Sequence, residues 1–140
     1  MDCDPDLADT AAFCAAYDVP LDRSANAILL ASKRPPDQYA VCVVLATHRL
    51  DVNHAARDAM GVKKLSFADA DTTTARTGMV IGGVTPFGLP DDIPVLVDAA
   101  VMQRPTVIVG GGSRSKKIEV DPEVFSRMTN ATVVTDLAAD

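Results

Sequence analysis

The sequence contains no tryptophan, and four phenylalanines and two tyrosines are its only aromatic residues. A hydrophobic core made from this composition must therefore consist mainly of aliphatic side chains. The chain has 140 residues, of which 48% are hydrophobic and 23% are charged. These values are typical of an ordinary globular protein, and the length is sufficient for one domain with a proper core.

Cysteine and histidine are also scarce. Cys3, Cys14 and Cys42 are odd in number and irregularly spaced, so the sequence indicates neither a disulfide framework nor a zinc motif. His48 and His54 lie six residues apart, which is not a metal-ligand spacing, and surface or capping roles are favoured over acid–base chemistry. We therefore expect no metal, no cofactor and a reducing environment.

Long hydrophobic runs and an excess of positive charge are absent too. The longest apolar run covers residues 40–46, which is too short to cross a bilayer, and residues 1–6 are acidic where a signal peptide would be basic. The formal net charge of -6 gives no general attraction to nucleic acid, although it is compatible with a local basic patch. These features predict a cytoplasmic protein that is not attached to a membrane.

The hydrophobic pattern predicts many short strands and few short helices. Strands are predicted over residues 27–31, 39–47, 64–68, 94–98, 106–109, 117–120 and 131–135, and the run at 39–47 is apolar on both faces, as in a central strand. Helical segments are predicted over residues 4–17, 21–24, 51–60, 71–76 and 121–128, with Asp4 and Asp71 as N-terminal caps. Because strands and helices do not alternate regularly, we expect a mixed, partly closed sheet or barrel of the α/β (α+β) class, with short flanking helices.

The most distinctive stretch is residues 77–90, which holds four of the eight glycines and two of the nine prolines. Glycine lets a ligand approach the main chain closely, and proline fixes the backbone. A plain hairpin needs far less than this, so we interpret the stretch as a rigid loop that forms the wall of a site. Its glycines lack the spacing of a dinucleotide fingerprint, which argues against binding of a cofactor phosphate.

A second glycine-rich segment, residues 110–117, ends in the basic side chains of Arg114, Lys116 and Lys117. It lacks the Gly-Lys-Ser/Thr ending of a nucleotide-binding loop, and a strand follows it where such a loop would open a helix. The plainer interpretation is a hairpin with a solvated basic end, and the alternative is a concave run of amides that holds an RNA phosphate. Asp98 ends an apolar strand near both glycine segments and is either a site carboxylate or a turn residue.

The run from Gly78 to Gly88 closely resembles the Gly-x-x-x-Gly-Gly-x-x-Pro-x-Gly signature of the YbaK/EbsC aminoacyl-tRNA editing family. The resemblance continues through residues 94–98, 107–114 and 118–123, and upstream it includes residues 9–12 and 24–29. It therefore covers nearly the whole chain. It implies a single YbaK-like aminoacyl-tRNA deacylase domain over residues 1–140.

The resemblance implies a free-standing trans-editing enzyme that hydrolyses the ester between a wrongly attached amino acid and the terminal adenosine of tRNA. The implied partners are the acceptor end of a mischarged tRNA and an aminoacyl-tRNA synthetase such as prolyl-tRNA synthetase. In this family a ribose hydroxyl of the substrate is thought to assist the attacking water. No catalytic triad is then required, and none is visible in the sequence.

Three groups of site residues are expected from this resemblance and from the loops. The catalytic group is Gly82, Gly83 and Asn26; the substrate-binding group is Gly78, Ile81, Thr85, Pro86, Phe87, Gly88, Asp98, Gly111, Gly112 and Ser113; and the tRNA-contacting group is Lys33, Arg34, Arg114, Lys116 and Lys117. Glycine amides suit the catalytic role, because they can stabilise an ester oxygen as it becomes negatively charged.

Two departures from the family pattern leave the function open between alternatives, and one of them is Lys117, which stands where some members of the family carry a carboxylate. The lysine that is common on the family's first strand falls on Asn26 here, so positive charge would have to come from another residue such as Lys33 or Arg34. The alternatives to an editing deacylase are an inactive module that binds aminoacyl-tRNA or a synthetase, and an esterase for small molecules.

Overall fold

The computed structural model describes residues 1–139 and contains nine strands and four α-helices within that range. The strands are β1 (Ala25–Arg34), β2 (Pro36–Leu45), β3 (Arg49–Leu50), β4 (Lys64–Phe67), β5 (Val95–Asp98), β6 (Val107–Gly110), β7 (Lys117–Val120), β8 (Ala131–Val134) and β9 (Ala138–Ala139). The α-helices are α1 (Thr10–Tyr17), α2 (Arg57–Met60), α3 (Ala70–Thr77) and α4 (Glu123–Arg127), and short 3-10 turns cover Pro5–Leu7, Leu21–Arg23 and Val101–Gln103.

The main sheet has five strands in the order β4-β1-β2-β5-β8. Strands β1 and β2 form a long antiparallel hairpin, whereas β5 joins β2 and β8 joins β5 in parallel. The mixed sheet expected from the sequence is therefore confirmed. The expectation that the segment at 39–47 is the central strand holds as well, because β2 occupies the middle of the order.

The central position of β2 follows from its composition. Every residue from Ala40 to Leu45 is buried, and alternate side chains enter two different hydrophobic clusters. Val41, Val43 and Leu45 point to one face of the sheet, while Cys42 and Val44 point to the other. A strand with two apolar faces can be buried on both sides only inside a covered sheet.

Strands β6 and β7 form a small hairpin of their own, and residues 24 and 108 join it to the region beside β1 through a single parallel bridge. The N-terminal segment then runs along the outer edge of β7. Cys3 N–H donates to the Ser115 carbonyl at 2.9 Å, and Lys117 N–H donates to the Met1 carbonyl at 2.9 Å. The first residues of the chain are therefore held against a strand that is more than one hundred positions away in sequence.

The helices differ from the sequence expectation in three places. The segment predicted as one helix over 4–17 is a 3-10 turn, Pro5–Leu7, followed by α1, although Asp4 does cap the turn. Residues 51–60 begin with a π-helical stretch, Val52–Ala56, before α2. The N-cap of α3 is Asp69 and not Asp71, because the Asp69 carboxylate is the group that accepts the Thr72 N–H, at 2.7 Å.

One further pairing was not expected from the sequence, namely that of the two-residue strands β3 and β9 with each other. The edge strand predicted over 131–135 is present as β8. No helix among the described residues has the length and hydrophobicity that crossing a lipid bilayer requires.

Candidate active site

A cavity of about 460 Å³ opens between the N-terminal segment, the first strand and the glycine–proline loop. This volume lies in the range that is typical of small-ligand sites. The lining residues come from five parts of the chain: Ala8, Asp9 and Thr10; Ala25 to Leu29 of β1; Phe67, Ala68 and Thr73; Ile81, Gly82 and Val84; and Gly110 with Lys117.

Asn26 supplies an oriented amide on the β1 side of this cavity. The Thr10 hydroxyl donates a short hydrogen bond to Asn26 Oδ1, so the carbonyl side of the amide is already occupied. The Asn26 NH₂ group is thereby left as the donor that a bound ligand can use. Thr10 is the first residue of α1, so the helix start fixes the rotamer of the strand residue opposite it.

Gly82 supplies the second candidate donor. It has a φ of 87°, a left-handed conformation that favours glycine, and a Cβ at this position would overlap the Arg114 guanidinium. Its backbone N–H has no hydrogen-bond partner among residues 1–139. A free amide at a cavity wall is the group that an ester oxygen requires.

Gly83 plays a different part from the one expected. Its N–H donates to the Val80 carbonyl at 2.9 Å, and its carbonyl accepts the Gly112 N–H at 2.9 Å. A Cβ on Gly83 would lie 2.7 Å from the Ser113 carbonyl carbon. The expectation that Gly83 offers its amide to the substrate is therefore wrong: Gly83 is needed because the second glycine segment packs directly behind it.

Arg114 clamps three parts of the cavity wall together. Its Nη1 donates to the Asp9 carboxylate at 3.1 Å and to the Ile81 carbonyl at 3.4 Å, and its Nε donates to the Pro5 carbonyl at 3.1 Å. These bonds join the N-terminal segment to the glycine–proline loop. Arg114 was predicted to contact tRNA. In the structure its guanidinium group is hydrogen-bonded to three groups of the protein itself, which indicates a structural role.

Lys117 is the charged side chain whose position differs most from the expectation. The residue is only 7% exposed, because the N-terminal segment covers it. Its Nζ donates to the Ala8 carbonyl at 2.7 Å and lies 5.1 Å from the centre of the Phe13 ring. Burial lowers the pKa of this ammonium group, because the charged form loses solvation. Lys117 therefore lines the cavity and is not a solvated contact for RNA.

The mouth of the cavity carries two exposed apolar side chains, Phe67 and Ile81, at 58% and 49% exposure. Phe67 ends β4, and the opposite end of the same strand is Lys64. An exposed aromatic ring at this position is available for stacking on a planar group of a ligand.

A basic patch lies at the far end of these strands. It consists of Lys33, Arg34, Lys63 and Lys64, all of which are exposed. The pairing of β1 with β4 brings Arg34 opposite Lys64, and Lys63 N–H donates to the Arg34 carbonyl at 2.8 Å. None of the four side chains forms an ion pair within the described part of the chain. We call this group the basic patch.

The structure brings four of the predicted residues to the cavity: Asn26, Ile81, Gly82 and Lys117. The other loop residues lie elsewhere. Thr85 and Pro86 are buried, and the Phe87 ring stacks on Phe125 with 5.8 Å between the centroids. Gly78 ends α3, Gly88 faces open space, and Gly111, Gly112 and Ser113 form the turn behind Gly83. Contact of this group with the bound amino acid is not supported by these positions.

Asp98 and Lys116 also lie outside the cavity wall. Asp98 is 1% exposed, and its Oδ1 accepts the Leu137 N–H at 3.2 Å while its Oδ2 lies 3.8 Å from His48 Nδ1. Because Asp98 lies in β5 and its partner Leu137 is 39 positions away, the carboxylate is neither a turn residue nor part of the cavity wall. Lys116 is exposed and is paired with Asp2.

Sequence reasoning missed the contribution of the N-terminal segment, Phe67, Thr73 and Gly110 to the cavity. Asp9, Thr10 and Gly110 carried a signal, because they belong to the parts of the sequence that resemble the family. The remaining residues have no local pattern that indicates a ligand. Within residues 1–139, no three His, Cys, Asp or Glu side chains come together in an arrangement that could hold a metal ion.

The mixed sheet and the short helices define a small α/β domain with an open cavity of the size that small ligands occupy. Comparison with protein families makes the class more specific. The family described as "Aminoacyl-tRNA editing domain" matches residues 4–128. The chain belongs to this family, and the resemblance found in the glycine–proline loop is confirmed.

Two curated relatives match part of the chain. The "Putative Cys-tRNA(Pro)/Cys-tRNA(Cys) deacylase EbsC" of Enterococcus faecalis is 31% identical over 90 residues, covering 64% of this chain and 54% of the relative. The "Uncharacterized protein YwhH" of Bacillus subtilis is 32% identical over 104 residues, covering 74% of this chain and 65% of the relative. The matches thus span between about half and two thirds of these relatives.

Solved structures share the fold. The "hypothetical protein APE2540" has a TM-score of 0.83 at 24% identity, with 94% of this chain and 84% of that chain covered. A "putative trans-editing enzyme for prolyl tRNA synthetase" has a TM-score of 0.84 at 19% identity, with 100% and 85% covered. Identities this low establish the architecture alone.

Proposed function

We propose that this protein is a trans-editing deacylase that hydrolyses the ester bond of a mischarged aminoacyl-tRNA. The observation that carries the proposal is that the free Gly82 amide and the oriented Asn26 amide both belong to residues lining one cavity of about 460 Å³. Membership of the editing-domain family supports the substrate class, and the name of the Enterococcus relative refers to a deacylase.

The reaction needs little from the protein beyond positioning and stabilisation of charge. Water attacks the ester carbonyl carbon, and the carbonyl oxygen becomes negatively charged. The Gly82 N–H and the Asn26 NH₂ group donate to the substrate as this charge develops. The bond to the ribose 3′ oxygen then breaks, and a proton from the attacking water reaches that oxygen by way of the neighbouring 2′ hydroxyl. The products are a free amino acid and an uncharged tRNA.

The cavity mouth and the basic patch suit the acceptor end of tRNA. The terminal adenine would stack on Phe67, since aromatic–base stacking tolerates any base and is worth about 1–3 kcal/mol. Strand β4 leads from Phe67 to Lys64 of the basic patch, so phosphates that follow the terminal nucleotide would meet Lys33, Arg34 and Lys63 as well. We extend the proposal to a synthetase, such as prolyl-tRNA synthetase, as the partner that releases the mischarged tRNA.

The test is a deacylation panel. Purified protein is incubated with tRNAs that carry non-cognate amino acids, and loss of the aminoacyl group is compared with the buffer rate. At least one combination of tRNA and non-cognate amino acid should be hydrolysed with multiple turnover. A panel in which no pair is hydrolysed faster than in buffer would refute the deacylase.

The second candidate is a module that binds aminoacyl-tRNA without hydrolysing it. The observation that favours it is Asn26, a neutral side chain on the first strand where the family resemblance implies a lysine. Saturable binding of charged tRNA without turnover would support this candidate. An Asn26→Lys variant that gained hydrolysis would support it further.

A further inference from the structure

Lys117 is the single cationic side chain that lines the cavity among residues 1–139. It lies in the hairpin partner of the strand that ends at Gly110, and Gly110 packs against the Val84 carbonyl, two residues after Gly82. The side chain is thus anchored next to the segment that carries the free Gly82 amide. The one anionic side chain of the lining, Asp9, is engaged by Arg114.

The ammonium group of Lys117 has unused donors. An ammonium carries three N–H groups, and one of them donates to the Ala8 carbonyl. No carboxylate lies within ion-pairing distance of Lys117 Nζ in the part of the chain that the structure describes. A buried cation without a carboxylate partner is costly in the folded state, and a bound anion or a polarised oxygen reduces that cost.

We infer that Lys117 is a catalytic residue whose ammonium group donates to the ester carbonyl oxygen of the bound aminoacyl-adenosine, together with the Gly82 N–H. This inference rests on the proposed deacylase function. As water attacks, the carbonyl oxygen gains negative charge and its hydrogen bond to Lys117 strengthens. When the bond to the ribose 3′ oxygen breaks, the carbonyl is restored and Lys117 keeps its proton.

The depth of Lys117 favours the ester over an RNA phosphate as its ligand. The residue is 7% exposed, whereas Phe67 and Ile81 at the mouth are 58% and 49% exposed. Phosphates of an RNA chain stay at the surface, where the basic patch can meet them. The part of the substrate that reaches the floor of the cavity is the ester with its amino acid.

The same placement explains how the cavity tolerates Asn26. Positive charge enters from Lys117 on β7, and Asn26 on β1 contributes a neutral donor. An Asn26→Lys substitution in a Lys117→Met background would move the charge from β7 to β1. We expect this double variant to recover part of the activity that the single Lys117→Met variant loses.

The experiment compares wild type with Lys117→Met and Lys117→Gln in single-turnover hydrolysis and in analogue binding. The analogues are alanyl and cysteinyl 3′-amino-3′-deoxyadenosines, in which an amide replaces the ester, each with and without a 5′ phosphate. Loss of one oxyanion donor should lower kcat by about 10²–10³-fold, with a smaller effect on KM. The Lys117 substitutions should also weaken binding of the analogues, and the factor by which binding weakens should be equal for analogues with and without the 5′ phosphate. Arg127→Met, which removes an exposed charge on α4, should leave both measurements unchanged.

Each outcome separates this inference from the proposed function. If wild type hydrolyses a mischarged tRNA and both Lys117 variants, folded by circular dichroism, keep kcat within about threefold, the inference is overturned while the deacylase stands. Weakened binding of the phosphorylated analogues alone would assign Lys117 to a phosphate and also overturn it. If wild type binds the analogues through Lys117 but hydrolyses nothing, the carbonyl contact stands and the deacylase falls. Absence of both binding and hydrolysis in wild type overturns both.

Discussion

Gly82 combines a backbone conformation that favours glycine with a free N–H group that is proposed to donate to the substrate. It adopts a left-handed φ of 87°, and the Arg114 guanidinium occupies the space that a side chain would need. A Gly82→Ala substitution must therefore displace the clamp that joins the loop to the N-terminal segment. It also reorients the free amide.

We expect Gly82→Ala to lower kcat/KM by about 10²-fold, the cost that is typical of losing one oxyanion donor. The matched control is Gly61→Ala, which has a similar φ of 67° but no neighbour within 4 Å. Both variants carry backbone strain, and only the first disturbs the cavity. Equal activity in the two variants would contradict the role of Gly82.

The buried ammonium of Lys117 predicts a specific pH dependence of stability. Burial lowers its pKa below 10.5, so the unfolded state binds a proton more readily than the folded state between the lowered pKa and 10.5. The contribution of Lys117 to the free energy of unfolding therefore rises with pH through this window. A Lys117→Met variant lacks this pH-dependent contribution to the free energy of unfolding.

We expect the free energy of unfolding of wild type, minus that of Lys117→Met, to increase between pH 7 and pH 10.5. Urea unfolding of both proteins at several pH values measures the difference, and titration of other lysines and of tyrosines cancels in it. A difference that stays constant or falls would show that the folded state does not disfavour the charged amine.

The sequence was informative about residues whose conformation depends on local sequence and uninformative about residues whose position depends on distant contacts. The glycine–proline loop was recognisable because glycine and proline constrain their own backbone. Which glycine presents a free amide was not predictable, because Gly83 is consumed by contacts with Val80 and with the distant Gly112. Lys117 was expected on the surface because the residues that contact and bury it, Met1 and Ala8, are 116 and 109 positions away in sequence.

At the scale of elements, α3 shows how a helix positions part of the cavity. Its N-cap is Asp69, whose carboxylate accepts the Thr72 N–H at 2.7 Å, and its buried face places Thr73 in the cavity wall. Hydrogen bonds from Thr72 lower the pKa of Asp69. The stabilisation is therefore present above the usual carboxyl pKa and is lost as the pH falls through the lowered value.

We expect Asp69→Ala to lower the Tm at pH 7 and to have a smaller effect as the pH falls below 3.8, the ordinary pKa of the group. The control is Asp71→Ala, which removes an acidic residue from the first turn of the same helix without removing the cap. Thermal unfolding followed by circular dichroism is sufficient. If Asp71→Ala were the more damaging substitution, the assignment of the cap would be wrong.

The success of the strand predictions depended on length and burial. The run that became β2 is long and apolar on both faces, so periodicity alone indicated a central strand. The pair β3 and β9 has two residues in each strand and is held together only by long-range pairing, so no local pattern indicates it. The π-helical stretch at Val52–Ala56 was missed because its side-chain spacing resembles that of an ordinary helix.

At the scale of the molecule, charge is distributed unevenly. The formal net charge is -6, yet the exposed ends of β1 and β4 carry the four cations of the basic patch. Because the net charge of the protein is negative, its general electrostatic attraction to tRNA is weak, and binding of tRNA should depend on the basic patch.

We expect a Lys33→Ser/Lys64→Ser variant to bind charged tRNA more weakly and to reduce the slope of log K against log salt by about two, one for each lost phosphate contact. Hydrolysis of an aminoacyl-adenosine, which lacks the rest of the tRNA, should be unaffected. Filter binding at several salt concentrations provides the slope, with Arg127→Ser as the control for loss of exposed charge. An unchanged slope would mean that RNA docks on another surface.

The N-terminal segment has a consequence for how the protein is made. Ala8, Asp9 and Thr10 line the cavity, and Ala8 and Asp9 are held there by Lys117 and Arg114, which are more than one hundred positions away. During synthesis these early residues leave the ribosome long before their partners exist. Contacts between such distant segments form late, because the intervening chain must be ordered first.

The main sheet can therefore begin to assemble from β1 and β2 while the cavity still lacks its floor. A nascent chain that ends before residue 117 would hold the hairpin and the glycine–proline loop but no closed pocket. A closed pocket would thus form only after the segment around Lys117 has been synthesised.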